Sequence, residues 1–190
     1  MTELLDAAFE IQTRLTAGAH PFCFIGGLAL LRWGEPRLTR DVDATILCRF
    51  GDEEELIDYM LSLFHARLKD AHTFALQNRV LLLSATNGIP IDAALGGLPY
   101  EERCIDRSSA FSYSPTRALR TCSAEDLIIL KAFASRPQDW VDIHGVLIRQ
   151  HTHLDWQLIL QELRPLAALK EDETIVPRLL DMRDDVEASV

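Results

Sequence analysis

The chain has 190 residues, 48% of them hydrophobic and 25% charged, with a formal net charge of −10. That length suits one domain, or one with a small appendage, and that composition suits a soluble chain with a real core. No stretch approaches the ~18 apolar residues that a membrane span needs. A strongly acidic chain is a poor general nucleic-acid binder, because phosphate neutralisation needs a basic surface. The opening MTELLDAAFEIQ lacks a basic stretch followed by an apolar one, so the expectation is a cytoplasmic protein without a signal peptide. Cys23, Cys48, Cys104 and Cys122 show no CxxC spacing, and reduced, buried thiols are expected.

In chain order, the apolar spacing of Leu4, Leu5, Ala8, Ile11 and Leu15 predicts an amphipathic helix over 3–15. Phe22 to Ile25 reads as a short buried strand, broken by Gly26-Gly27, and Leu28 to Trp33 as a helix ended by Gly34-Glu35-Pro36. The segment 41–47 alternates and is predicted as a strand. Asp52 suits an N-cap for a helix over 53–67. Strands are predicted over 79–85 and 89–94, joined at Asn87-Gly88 by a two-residue hairpin turn. Helices follow over about 98–108, from the capping-box-like Ser123-Ala124-Glu125-Asp126 to about Ser135, and from Pro137 to about Gln150. From His153 onward the chain is helical and increasingly acidic. The order implies an α/β core over 1–120 and a helical region over 121–190.

The most informative segment is FIGGLALLRWGEPRLTRDVDATI, residues 24–46. A glycine pair removes the side chains that would block a phosphate, and a following helix turns free N–H groups toward it. Asp41 and Asp43 are two apart on a strand, so their carboxylates share a face. Such a pair suits Mg²⁺, a hard cation that arrives with substrate phosphates. Asp-x-Asp or Gly-Gly alone is weak, but thirteen residues separate Gly27 from Asp41 in an ordered strand, helix, loop and strand. A solvated strand end accounts for the aspartates but not for the rest of that order. The pair His151 and His153 lacks a third ligand nearby, and Trp33, Trp140 and Trp156 are expected as core anchors. Lys131, among Leu127, Ile128, Leu130 and Phe133, reads by itself as a lysine whose stem lies along an apolar face.

This segment resembles the signature of the nucleotidyltransferase superfamily, which includes DNA polymerase β and the antibiotic nucleotidyltransferases. Arg37-x-Thr39-x-Asp41-x-Asp43 after the glycine pair is similar to the AbiEii-like toxin and minimal nucleotidyltransferase branch. Ile89-Pro90-Ile91-Asp92 fits that family's third carboxylate, and Glu125 to Lys131 with Arg136-Pro137-Gln138-Asp139 and Asp142-Ile143 resembles its helical motifs. Gln138 stands where the family pattern has lysine, with Arg136 the nearest basic substitute. The resemblance covers about residues 20 to 150. It implies a mixed β-sheet flanked by helices and transfer of a nucleoside monophosphate from an NTP to an acceptor. Asp41, Asp43 and Asp92 would hold one or two Mg²⁺ or Mn²⁺ ions, with Asp92 also placed to act as general base. Gly26, Gly27, Arg37, Thr39 and Lys131 would meet the nucleotide, and Asp139 would lie at the active site. The acceptor stays open between RNA, including tRNA 3′ ends, and a small antibiotic-type molecule. An antitoxin protein is the implied partner, and a fold-retaining module without chemistry is the alternative.

Overall fold

A computed structural model of the chain describes residues 2–115 and 117–189. They fall into two compact units, 2–28 with 38–122, and 29–37 with 123–189. No helix among the described residues is long and apolar enough to cross a membrane.

The first unit holds a seven-stranded mixed sheet. In chain order its elements are α1 (Thr2–Ala17), β1 (Phe22–Phe24), the start of α2 (Gly26–Trp33), β2 (Val42–Leu47), α3 (Glu53–Leu63), β3 (His65–Ala66), α4 (Ala71–Asn78), β4 (Val80–Ser84), β5 (Pro90–Gly96), α5 (Pro99–Arg107), β6 (Ser109–Ser114) and β7 (Arg117–Thr121). The strands lie in the order β3-β4-β5-β2-β1-β7-β6, with β2 parallel to β5, β1 parallel to β7, and the other neighbours antiparallel. Helix α1 buries Leu4, Ala7, Ala8, Ile11 and Leu15, one face at helical spacing, against β2 and β7. In β2, Val42, Ala44 and Ile46 are buried; in β5, Ile91, Ala93 and Leu95 are buried. The residues between them, Asp43 on β2 and Asp92 on β5, are half-buried on the other face.

The second unit is helical: α6 (Ala124–Ala134), α7 (Pro137–Gln150), α8 (Trp156–Leu169) and α9 (Ile175–Ser189), with residues 29–37 packed among them. Ser123 caps α6 by accepting from the Asp126 amide at 3.1 Å. Pro137 opens α7, where a missing N–H costs nothing. Gly34 packs where a Cβ would meet Leu30 and Val146. Of the tryptophans, Trp140 is buried, while Trp33 and Trp156 are half-buried under Arg32 and Arg183.

Several details depart from the sequence reading. Helix α3 stops at Leu63, not near 67, because Phe64 turns extended and His65–Ala66 pairs with Leu83 and Ser84. Asp52 precedes α3 but its side chain makes no cap hydrogen bond. Helix α4 and strands β3, β6 and β7 carry no strong sequence signal: α4 and β3 are short, and every residue of β6 from Ser109 to Ser112 is exposed. The hairpin turn has three loop residues. The Ala85 amide donates to Ile89 and the Gly88 amide to Ala85, with Gly88 left-handed at φ 82°.

A Cβ at Gly88 would meet nothing within 4 Å, so Gly88→Ala tests backbone conformation alone. We expect it to lower stability by about 1 kcal/mol, read as a lower urea midpoint with unchanged m.

Candidate active site

The local sequence of the first unit builds the acidic cluster. Asp43 sits on β2 directly opposite Asp92 of β5 in the parallel register. Asp41 immediately precedes β2 and is oriented by Thr39, whose hydroxyl donates to Asp41 Oδ1 at 3.1 Å. One carboxylate oxygen from each of Asp41, Asp43 and Asp92 lies within 4.8 Å of the other two, and all three residues are half-buried. This is the one group of three such ligand residues found among the described residues, so His151 and His153 do not build another.

The glycine pair packs against this cluster. Gly26 has φ 54°, and a Cβ there would fall 2.0 Å from Asp43 Oδ2. A Cβ on Gly27 would fall 2.3 Å from the Thr39 hydroxyl oxygen. Each glycine therefore leaves the space that one aspartate, or the threonine orienting it, occupies. The end of β1 is tied to the same place, since the Ile25 amide donates to the Asp43 carbonyl at 3.0 Å.

In the second unit, Asp142 of α7 is the buried centre of a polar network. It accepts from Arg37 Nε at 3.0 Å, from Arg37 Nη2 at 3.0 Å, from Lys131 Nζ at 2.6 Å and from Gln138 Nε2 at 3.0 Å. Lys131 Nζ also donates to Asp139 Oδ1 at 3.2 Å, and the other Asp139 oxygen accepts from the Arg136 amide at 3.2 Å. Burial pushes the Asp142 carboxyl up, but hydrogen bonds from Arg37, Lys131 and Gln138 outweigh it and hold the group below the ordinary carboxylate value. Lys131 is 7% exposed at its side chain, so its amine does not reach out to solvent.

The structure thus gathers Asp41, Asp43, Asp92, Gly26, Gly27 and Thr39 in the first unit, and Arg37, Lys131 and Asp139 in the second. Two further residues take part. Asp142 follows Asp139 by one helical turn, a spacing that puts both on one face with Lys131 as shared partner. Arg67 donates to Asp92 Oδ1, and no local pattern marks it, because it follows a strand that the sequence does not announce. All four cysteines are buried free thiols, with Cys23 and Cys104 sulfurs 4.0 Å apart.

A mixed sheet with two aspartates at the head of one strand and a third on its parallel neighbour defines a nucleotidyltransferase fold. The chain is similar to an antigenic nucleotidyltransferase-like protein from Paracoccidioides brasiliensis, at 15% identity over 98% of this chain and 91% of that one, with a TM-score of 0.59. It is also similar to the lincosamide antibiotic adenylyltransferase LnuA in its lincomycin-bound form, at 14% identity over 74% of this chain and 94% of that one, TM-score 0.51. The antibiotic-resistance factor ANT(2'')-Ia gives 14% identity over 99% and 93%, TM-score 0.50. At such identities the likeness is one of fold. Residues 13–181 match the family described as "Nucleotidyl transferase AbiEii toxin, Type IV TA system", and the chain belongs to that family of nucleotidyltransferases. No curated protein matches it.

Two outcomes follow from this geometry. Gly26→Ala should displace the Asp43 carboxylate and weaken divalent-cation binding at least about tenfold while the circular dichroism spectrum stays native. Asp142→Asn should cost about 2 kcal/mol at neutral pH, because it removes the charge from one of the two carboxylates that hold the buried Lys131 amine. The folded carboxyl is depressed, so its stabilisation is present above the unfolded value and lost as pH falls through the folded one. The gap between variant and wild type in urea unfolding should therefore shrink from about pH 7 to about pH 3.

Proposed function

We propose that the chain transfers a nucleoside monophosphate from an NTP to a hydroxyl of an RNA acceptor, releasing pyrophosphate. The observation that carries this reading is the convergence of Asp41, Asp43 and Asp92 within 4.8 Å beside a glycine pair that opens a helix. Three carboxylates are a hard, oxygen-only donor set, and together they fit Mg²⁺ or Mn²⁺ better than a softer ion. Bound there, a divalent cation neutralises charge on the triphosphate and lowers the pKa of an attacking hydroxyl.

The chain's own residues supply the rest. Asp41 and Asp43 would hold the cation that accompanies the triphosphate, and Thr39 orients the Asp41 carboxylate through its hydroxyl. Asp92 would share a second cation where one binds, and would be placed to take the proton of the attacking hydroxyl. The first amides of α2, after Gly26-Gly27, donate to phosphate oxygens. In the second unit, Asp139 and Asp142 hold the Lys131 amine in place, and Arg37 meets Asp142. The resemblance to the AbiEii-like branch suggests RNA as the acceptor, and membership of a type IV toxin–antitoxin family supports an antitoxin as the counterpart.

The test is incubation with Mg²⁺, each labelled NTP, total RNA, an aminoglycoside and a lincosamide. Label should appear on RNA and fall by roughly two to three orders of magnitude in Asp43→Asn. It should also fall steeply as salt rises, because contacts to RNA phosphates release counterions. Label on an antibiotic alone would replace RNA as the acceptor. Absence of pyrophosphate release with every acceptor would leave a binding module in place of an enzyme.

A further inference from the structure

Arg67 reaches the acidic cluster by strand register. Its amide donates to the Leu82 carbonyl at 3.0 Å, continuing the β3–β4 pairing of His65 with Ser84 and Ala66 with Leu83. Leu82 of β4 lies opposite Asp92 of β5, and Asp92 opposite Asp43 of β2. Arg67, Leu82, Asp92 and Asp43 therefore form one row across four neighbouring chain segments. Leu82, Asp92 and Asp43 share the half-buried face of the sheet. At ~4.8 Å per strand, an arginine two strands away from Asp92 is within side-chain reach, and its guanidinium does bond Asp92 Oδ1. Main-chain pairing, not a stray surface rotamer, sets this ion pair.

We propose that Arg67 is a resident counter-cation of the site, competing with the divalent cation for Asp92 and so keeping the resting chain's affinity for that cation low. The inference rests on the reading of the three aspartates as cation ligands. The pair is suited to exchange: the Arg67 and Asp92 side chains are 31% and 38% exposed, so water and a hydrated ion reach both. A guanidinium is a monovalent, directional partner for one carboxylate, whereas a divalent ion binds several at once. Arg67 therefore screens the cluster without filling it, and a cation that takes the same Asp92 oxygen must release the arginine.

The experiment titrates Mn²⁺ into the full-length chain without nucleotide, read by electron paramagnetic resonance. Arg67→Gln removes the charge and keeps a polar side chain, and should bind Mn²⁺ roughly tenfold tighter than wild type. Arg67→Lys, which keeps the charge, should stay within about threefold of wild type. The gain from Arg67→Gln should vanish in an Asp92→Asn background, since the arginine acts through that carboxylate. In the wild type, adding Mg²⁺ should shift the Arg67 Nε–Hε resonance, a readout that needs no variant to fold. Equal or weaker Mn²⁺ binding by Arg67→Gln would overturn the proposal alone, as would a gain that survives in the Asp92→Asn background. Failure of wild type and variants alike to take up Mn²⁺ would overturn the cation reading as well.

Discussion

The parallel register of β2 and β5 is the constraint on which the candidate site depends. It sets Asp43 opposite Asp92, and a slip of one residue would turn Asp92 to the other face of the sheet. What holds the register is not the aspartates. Val42, Ala44 and Ile46 on one strand, and Ile91, Ala93 and Leu95 on the other, bury the opposite face. Moving either strand by one would expose three apolar side chains and bury carboxylates, a cost far above what the polar face gains. The core therefore aligns the acids, and the acids need contribute nothing to stability.

The glycine pair completes that arrangement from the other side. Read in sequence, Gly26-Gly27 suggests a backbone that a phosphate can approach. The structure adds a tighter reason: a side chain at Gly26 would occupy the Asp43 carboxylate's position, and one at Gly27 would occupy that of the Thr39 hydroxyl. The positive φ of Gly26 reinforces the restriction, since a residue with a Cβ is strained there even before it meets Asp43. A strand, two glycines and a strand headed by two aspartates thus form a single packing unit, although thirteen residues separate the glycines from Asp41.

Much of this was legible because it is local. Helices α1, α6 and α7 declare themselves by apolar spacing, a serine cap and a first-turn proline, β1, β4 and β5 by apolar runs near glycine or asparagine, and β2 by alternation. The elements that escape the sequence are those held by tertiary pairing. Strand β3 has only His65 and Ala66, and β6 alternates no apolar residues against its exposed ones. Missing β3 hides Arg67, whose proximity to Asp92 depends on two strand pairings between residues 25 apart in the chain. The hairpin shows the same limit on a smaller scale: Asn87-Gly88 announces a turn, but the loop length comes from the Ala85–Ile89 pairing.

Lys131 shows why neighbours in sequence mislead about a long side chain. Flanked by leucine, isoleucine and phenylalanine, it looks like a lysine that lays its stem on an apolar surface and keeps its amine in water. Its amine instead ends inside the helical unit, between Asp139 and Asp142. An ammonium held there without partners would carry a large desolvation cost, so the two carboxylates are a condition of its burial. Two carboxylates around one amine would in turn leave excess negative charge, and Arg37 meets it with a two-pronged contact to Asp142. Lysine, arginine and the two aspartates form a charge-balanced network in which each member makes the others tolerable. The acidic cluster of the first unit is built on the opposite principle. Its three carboxylates are half-buried, and Asp92 among them pairs with the part-exposed Arg67. One network has its centre buried among helices; the other lies half-buried on a sheet face.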